Sequence, residues 1–180
     1  MQIQKAELKD LPQMMIIYQR AREFMRETGN PDQWKDSYPQ EEVVRRGIEE
    51  GKAWLCTADG PEDGQEEDGL TQGEVLGTFY FAVEDDPTYH EIEGRGWLNH
   101  EPYGVIHRIA SSGRGKGFAR FCFAWAAGQC LNLRIDTHED NWVMQHVLEK
   151  NGFVQCGMIH LADGSPRLAY HRTESLTSKP

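Results

Sequence analysis

The apolar residues of the chain follow two recurring patterns, one typical of strands and one typical of helices. Short runs rich in β-branched and aromatic residues predict six to seven strands, because such residues pack well on a pleated surface. Longer segments with apolar residues three and four positions apart predict about four helices. The predicted strands are Ile3–Leu8, Ala53–Thr57, Val75–Val83, Val105–Ala110, Leu133–His138, Val154–Leu161 and Arg167–Arg172, and the predicted helices begin near Leu11, Ser37, Phe118 and Asn141.

The segment Tyr103–Ala127 joins a predicted strand to an apolar helix through a turn with three glycines, Gly113, Gly115 and Gly117. Glycine tolerates left-handed backbone conformations and lets the main chain approach a ligand closely. Free N–H groups at such a turn and at the helix start can converge on an anion, aided by the helix dipole. The segment is therefore typical of a phosphate-binding turn, although a plain glycine turn before a core helix is the alternative.

Two common phosphate-binding patterns do not fit this turn. The Walker pattern GxxxxGK[ST] needs a serine or threonine after the lysine, whereas Gly117 follows Lys116. The Rossmann pattern GxGxxG fails because the third glycine comes one residue early. The pattern that does fit is R-x-x-G-x-A, formed by Arg114, Gly117 and Ala119.

Two motifs together resemble the GNAT family of N-acetyltransferases. The first is R-x-x-G-x-A, which is similar to the family's loop for the pyrophosphate of acetyl-CoA. The second is Leu133–His138 followed by Glu139–Phe153, which resembles the family's next strand, a helix opened by Asn141, and a Lys-x-Gly-Phe ending. The resemblance implies an α/β (α+β) fold with a mixed, mostly antiparallel twisted sheet flanked by helices. It also implies a splayed central strand pair that forms the acetyl-CoA cleft.

Composition narrows the class of protein and partner. The 180 residues suit one globular domain, for which we expect the bounds 1–173. The apolar runs are far shorter than the ~18 residues that a membrane span needs, so we expect no membrane partner and no secretory leader. A net charge of −10 disfavours nucleic acid as the partner and favours cationic substrates such as amines. Four scattered cysteines without CxxC spacing indicate a reduced, cytoplasmic chain.

Two polar segments are expected to lie outside the folded core. Residues 58–73 contain a glycine-punctuated acidic tract between two predicted strands, which we interpret as a mobile hairpin loop. The tract lacks the EF-hand spacing, and no metal site is predicted. Residues 174–180 form a polar C-terminal tail.

The resemblance implies how acetyl-CoA, the acyl donor, is held. Main-chain N–H groups of the glycine turn bind its pyrophosphate. A main-chain N–H of the preceding strand, with Ile109 the preferred contact, polarises the thioester carbonyl. Asn141 bonds the cofactor arm, with helix capping as its alternative role. The residues implied to contact acetyl-CoA are Ile109, Ala110, Ser111, Arg114, Gly115, Lys116, Gly117, Phe118, Ala119 and Asn141.

The proton chemistry is the part that the sequence defines least. His107 is the preferred general base, because imidazole titrates near neutral pH and its strand lines the implied cleft. Packing within the sheet is the alternative role for His107. His138 and Glu139 are the next candidates for the base. Leu148 occupies the position of the family's usual tyrosine acid, so a water, Asn141 or the solvated thiol would replace that acid.

The acceptor is expected to contact Trp34, Tyr38 and Tyr103, with a buried anchor as the alternative role of Trp34. Three functions remain open. The first is an acetyl-CoA-dependent N-acetyltransferase, a monomer or homodimer, that acts on a primary amine of a small molecule or peptide. The second is a non-catalytic module that binds and senses acetyl-CoA. The third is a cradle for another nucleotide, which the failed Walker and Rossmann spacings disfavour.

Overall fold

The computed structural model describes residues 1–35, 37–59 and 69–173, which form one mixed sheet with helices on both faces. The strands in the described residues are β1 (Gln2–Lys5), β2 (Ala53–Thr57), β3 (Val75–Val83), β4 (Glu93–Gly94), β5 (Gly104–Ser111), β6 (Asn132–Thr137), β7 (Val154–His160) and β8 (Pro166–Thr173). The α-helices there are α1 (Leu11–Glu27), α2 (Glu41–Glu49), α3 (Phe118–Gln129) and α4 (Trp142–Lys150). All predicted strands and helices are present, and the two-residue β4 is the strand that the sequence did not predict.

One helix begins later than its sequence predicts. The side chains of Ser37 and Gln40 have the spacing of a capping box, yet α2 begins at Glu41 with Gln40 as its N-cap. Tyr38 precedes Pro39, and a residue before proline disfavours the helical region for steric reasons. Ser37 itself has a left-handed φ of 61°. The segment before Gln40 therefore lies in a loop.

The strands are arranged in the order β1-β2-β3-β5-β6-β8-β7-β4. Every neighbouring pair is antiparallel except β5 and β6, which are parallel. That parallel pair is joined only through Gly104 with Leu133 and Val105 with Arg134, and beyond these residues the two strands diverge. The main chain of β5 from Ile106 onward is therefore open on the side of β6. This is the splayed strand pair that the resemblance implies.

The helices form one layer on each face of the sheet. On one face, α1 and α2 bury apolar side chains such as Met14 and Val44 in a cluster with Leu55 of β2. On the other face, α3 and α4 bury Phe123 and Leu148 in a cluster with the central strands. Each of these side chains contributes about 1.5–3 kcal/mol when it is fully buried. The splayed strands thus lie between two packed layers.

A bulge interrupts β5 next to the divergence. Thr78 and Tyr80 of β3 pair with Ala110 and His107, so β5 contains one extra residue between these two pairs. Arg108 occupies the bulge with φ of 51°. Regular alternation would place Ile109 on the face of His107. That expectation is wrong, because the bulge turns Ile109 into the cluster on the opposite face, with α3 and α4.

The predicted mobile loop and tail cannot be assigned from the structure. Most of the tract 58–73, namely 60–68, lies outside the described residues, as does the tail 174–180. At the flanks of the tract, the N–H of Ala58 donates to the carbonyl of Glu74, and that of Gly73 donates to the carbonyl of Ala58. In the described part of the chain, no helix has both the length and the apolar character needed to cross a bilayer.

Candidate functional site

The glycine turn between β5 and α3 has the backbone that its sequence predicts. Gly113, Gly115 and Gly117 have φ angles of 81°, 77° and 81°, in the left-handed region that favours glycine. A Cβ at Gly115 would lie 3.0 Å from Leu76 of β3, so the turn packs closely against the sheet there. A Cβ at Gly113 or Gly117 would meet no protein atom within 4 Å. The turn therefore leaves open space above two of its glycines, where a ligand's phosphate groups fit.

Some main-chain N–H groups of the turn already have partners within the protein, and others have none among the described residues. The N–H of Gly113 donates to the Ser111 hydroxyl at 3.0 Å, and that of Arg114 donates to Ser112 Oγ at 3.4 Å. Further along the chain, the first turn of α3, which begins at Phe118, has N–H groups without a partner within the helix. These groups and the positive end of the helix dipole favour an anion. The residues present therefore fit a bound pyrophosphate.

The side chain of Arg114 has partners within the protein. Its Nε lies 2.6 Å from Glu74 Oε1, and its Nη2 donates to the Gly69 carbonyl at 2.6 Å. These contacts join the glycine turn to the segment before β3. The predicted contribution of Arg114 to phosphate binding is therefore restricted to its main chain, unless these bonds break. Lys116, by contrast, is exposed.

A cleft of about 680 Å³ opens beside the diverging strands. Four consecutive residues of β5 line it, from Ile106 to Ile109. Opposite walls come from α2, from the loop between α1 and α2, and from the turn between β7 and β8. Its acidic lining residues are Asp32, Glu50, Glu84, Asp86, Asp136 and Asp163, and its basic ones are Lys35, Arg46, Arg108 and Arg167, besides His107. The negative charges outnumber the positive ones, which suits a cationic acceptor.

His107 lies between two carboxylates in this cleft. Its Nε2 is 2.7 Å from Asp86 Oδ2, and its Nδ1 is 3.7 Å from Asp136 Oδ1. A carboxylate can only accept, so the short contact assigns the proton to Nε2 and leaves Nδ1 as the acceptor in the neutral ring. The longer contact exceeds hydrogen-bonding distance. Asp136 is held by the Tyr89 hydroxyl, which donates to it at 2.9 Å.

The Asp86 carboxylate is fixed and ionised. Burial alone would raise its pKa, but the hydrogen bond and charge of His107 outweigh burial and lower the pKa to about 2. The other carboxylate oxygen accepts from the Thr88 N–H at 2.8 Å. Asp86 therefore orients the imidazole of His107 in the way that the aspartate of a catalytic triad does.

Tyr80 forms a second polar group in the cleft wall. Its hydroxyl donates to Glu84 Oε1 at 2.5 Å, and Lys52 lies 2.8 Å from the other oxygen of Glu84. Burial and the neighbouring Glu84 carboxylate raise the pKa of Tyr80 to about 12. The phenol therefore stays protonated over the whole neutral range. Its ring stacks at 5.7 Å from that of His107.

The cleft brings together only part of the predicted acceptor and catalytic residues. Trp34 and Tyr38 line it, and their rings pack edge to face at 6.4 Å. Tyr103 does not line it; its hydroxyl accepts from the Asp86 N–H at 3.0 Å and donates to Asp85. Tyr103 therefore supports Asp86 from behind, and its predicted acceptor contact stays a prediction.

The alternatives to His107 lie elsewhere. His138 and Glu139 are absent from the cleft lining, and Glu139 is exposed. Asn141 caps α4, since its Oδ1 accepts from the Met144 N–H at 3.0 Å, while its Nδ2 donates to Gln33 Oε1 at 2.7 Å. The predicted cofactor contact of Asn141 stays a prediction, and it would compete with both bonds. Leu148 is fully buried in the core, so no acid group stands at that position.

The residues that sequence reasoning missed are the side chains that surround His107. Asp86 and Tyr80 are distant from His107 in sequence, and the pairing of β3 with β5 brings them to it. Arg108 reaches the cleft because of a bulge that its sequence does not signal. The Val75–Val83 alternation could have placed Tyr80 opposite His107 only if the register of β3 and β5 had been known.

Comparison with solved structures identifies the fold. A crystal structure of a GNAT-family acetyltransferase from Streptococcus agalactiae is 31% identical, with a TM-score of 0.81, 97% of this chain covered and 95% of that one. Two more distant structures share the fold. A ribosomal-protein-alanine N-acetyltransferase from Brucella melitensis has 17% identity, a TM-score of 0.60, and coverage of 97% and 100%. The NatC complex bound to Gag peptide and CoA has 11% identity, a TM-score of 0.56, and coverage of 97% and 98%.

No protein-family model matches the chain, and no curated protein matches its sequence. The assignment therefore depends on the Streptococcus structure, which aligns over nearly the whole of both chains. It agrees with the left-handed glycine turn, the diverging β5 and β6, and the cleft between them. The chain belongs to the GNAT family of acetyltransferases.

Proposed function

We propose that this protein transfers an acetyl group from acetyl-CoA to a primary amine. The observation that carries the proposal is the position of His107. It lies on β5, where that strand leaves β6, and its imidazole is oriented by Asp86 inside an acidic cleft. To deprotonate an amine next to a bound thioester, the protein needs a basic nitrogen close to the open strand edge where the thioester would lie. His107 has this position.

Acetyl-CoA would be held by the turn from Gly113 to Ala119 and supplies a thioester as the acetyl donor. The open space above Gly117 and the N–H groups of the first turn of α3 support this assignment. Each charge-assisted bond to a phosphate contributes about 1.5–3 kcal/mol. Ile109 lines the cleft on the open stretch of β5, which supports its predicted main-chain contact with the thioester.

His107 acts as the general base through Nδ1. The acceptor arrives as an ammonium ion, which the carboxylates Asp86 and Asp136 attract. Nδ1 accepts one proton from the ammonium ion, which leaves a free amine, and Asp86 stabilises the resulting imidazolium. The amine nitrogen then forms its bond to the acetyl carbon. The carbon–sulfur bond breaks, sulfur leaves as thiolate, and the second proton that nitrogen loses passes to that thiolate, so the products are the amide and CoA thiol. A thiol has a pKa of about 8.5, so this leaving group needs little acid assistance where Leu148 replaces the usual tyrosine.

The second candidate function is a non-catalytic module that senses acetyl-CoA. Leu148 favours it, because the family's usual acid is absent at that position. Both functions require the turn to bind acetyl-CoA. They differ in whether the chain releases CoA thiol when an amine is added.

A panel of primary amines distinguishes the two. The purified chain is incubated with acetyl-CoA and each amine, and CoA thiol and the acetylated amine are measured by a thiol reagent and by mass spectrometry. The proposal expects equal amounts of both products with at least one amine. Tight acetyl-CoA binding with no product from any amine would contradict catalysis and favour the sensor.

A further inference from the structure

Arg108 is a strained residue that the mechanism above does not use. A non-glycine residue with φ of 51° is strained, and such strain persists only where the surroundings hold it. The bulge places His107 and Arg108, which are consecutive, on the same side of β5. The imidazole ring lies 5.7 Å from the ring of Tyr80, and Arg108 Cζ lies 4.8 Å from it. The strained conformation of the bulge therefore places the Arg108 guanidinium in the cleft beside His107.

The Arg108 guanidinium is surrounded by phenol groups rather than by carboxylates. Its Nη1 donates to Tyr38 Oη at 3.3 Å, and its guanidinium lies over the face of Tyr80. Within the described residues it forms no ion pair with a carboxylate, although six acidic residues line the same cleft. A guanidinium has five N–H donors, and the neighbouring phenols of Tyr38 and Tyr18 satisfy only part of them. Arg108 also lines the cleft, so a ligand there can reach the guanidinium.

Arg167 repeats this pattern at the start of β8. It also lines the cleft, and it is only 6% exposed. Its guanidinium donates to the carbonyls of Pro166 and Gln33, at 2.8 and 3.2 Å, and has no carboxylate partner in the part of the chain that the structure describes. Two guanidinium groups that form no ion pair within the described residues, in a cleft with an acidic majority, indicate recognition of an anionic group.

We propose that the acceptor is a short amino carboxylic acid whose carboxylate binds Arg108 while its amine faces His107. This inference depends on the proposed acetyl transfer. Consecutive Cα atoms are ~3.8 Å apart, so the two side chains suit an amine and a carboxylate separated by one or two carbons. The planar guanidinium fork matches a carboxylate. A phosphate would fit the fork too, but its second negative charge is disfavoured beside Asp86 and Asp136.

Matched acceptors test this directly. Leucine, leucinamide and isoamylamine share a side chain, and only leucine has a carboxylate. The amine of leucinamide is the least basic of the three, so the largest fraction of it is unprotonated at neutral pH, and a preference set by the free-amine fraction alone would favour leucinamide. We expect kcat/KM to be at least tenfold higher for leucine than for either neutral compound. Glycine, alanine and phenylalanine with their amides extend the set, and the aminophosphonate analogue of leucine tests phosphate.

Variants separate recognition from packing. Arg108→Gln should raise KM for leucine at least tenfold, remove the preference over leucinamide, and leave acetyl-CoA affinity unchanged. Arg108→Lys, which keeps the charge without the fork, should restore part of the preference. Arg20→Gln is the control for general charge, because Arg20 is exposed on α1 and does not line the cleft, and it should change kcat/KM less than about twofold. An equal loss for leucine and leucinamide in Arg108→Gln, or a preference for the phosphonate, would overturn the inference.

Failure of catalysis is a distinct outcome. If no probe releases CoA thiol, the proposed function fails, and calorimetry with acetylated probes then decides the inference separately. N-acetylleucine should bind at least tenfold more tightly than N-acetylleucinamide, and Arg108→Gln should remove that difference. Equal binding of the two would overturn the carboxylate site.

Discussion

The glycine turn and the acidic cleft both adjoin β5, but they are built in different ways. The turn Gly113–Ala119 presents main-chain N–H groups from consecutive residues, and its geometry follows from three left-handed glycines. The cleft uses the side chains of Asp86, His107 and Asp136, which lie on separate segments and are joined by the sheet. The turn therefore depends on local backbone conformation, whereas the cleft depends on register. The two parts should also fail separately when mutated.

The largest expected effect is at the turn. Gly117→Val should abolish measurable acetyl-CoA binding, because its side chain would fill the open space above the turn and a β-branched residue strains φ of 81°. Calorimetric titration measures the affinity. Gly152→Val is the matched control, since Gly152 has φ of 82°, no atom within 4 Å of its added Cβ, and a position outside the turn. Unchanged affinity in Gly117→Val would remove the pyrophosphate assignment.

The next effect is at the cleft. His107→Ala should lower kcat by roughly 10²–10⁴-fold, the usual contribution of a general base, with acetyl-CoA affinity within about threefold of the original. Initial rates at saturating acetyl-CoA give kcat. His138→Ala is the control, because that histidine does not line the cleft. If His138→Ala produced the larger loss, the base would lie at the edge of the cofactor cleft instead.

A smaller effect concerns acid stability. The pKa of Asp86 is about 2 in the folded chain and about 3.9 when unfolded, so its ionised form stabilises the fold above pH 4. This contribution, about 2 kcal/mol, is lost as pH falls from 4 to 2. Asp86→Asn should therefore lower the free energy of unfolding at pH 6 and flatten its dependence on pH below 4.

Urea titrations at several pH values provide that measurement. Asp85→Asn is the matched control, because Asp85 is adjacent in sequence but bonds to His90 and Tyr103 rather than to His107. Identical acid limbs in the Asp86→Asn variant and the original chain would show that the His107–Asp86 contact contributes no stability.

The smallest effect is in the wall of the cleft. Gly47 lies inside α2, where glycine costs about 0.5–1 kcal/mol relative to alanine. A Cβ there would meet Ala53, Tyr80 and Arg108 at ordinary contact distances of 3.7–3.8 Å. Gly47→Ala should therefore raise the free energy of unfolding by about that amount, as Gly128→Ala should in α3. If Gly47→Ala destabilised the fold while Gly128→Ala did not, the cleft wall around Gly47 would be packed more tightly than these contact distances indicate.

The difference between the turn and the cleft also explains what the sequence could predict. The turn, both helices that flank the cofactor cleft and every longer strand follow from local patterns, since glycine spacing and apolar periodicity act within a few residues. His107 could be proposed because its strand precedes the turn directly. Its partners Asp86 and Asp136 are 21 and 29 residues away along the chain, and no local pattern joins them.

Two further residues show the same limit. The bulge at Arg108 reversed the face of Ile109, because a single inserted residue changes alternation without leaving a sequence signal. Tyr103 was expected to contact the acceptor but supports Asp86 from behind. Both depend on the pairing of β3 with β5 and on the loop that follows β3, which tertiary contacts determine.

The dependence of kcat on pH, at saturating acetyl-CoA, tests the role of His107 most directly. The measurement uses an amine from the panel and compares the original chain with His107→Ala. The account predicts that the original chain loses activity as pH is lowered, because a protonated imidazole cannot accept the amine proton. The residual activity of His107→Ala should lack this acid limb. The contrary result is a His107→Ala variant that retains activity within a few-fold together with an unchanged acid limb. The general base would then not be His107, and the claim that the turn binds acetyl-CoA while the cleft supplies the base would be contradicted.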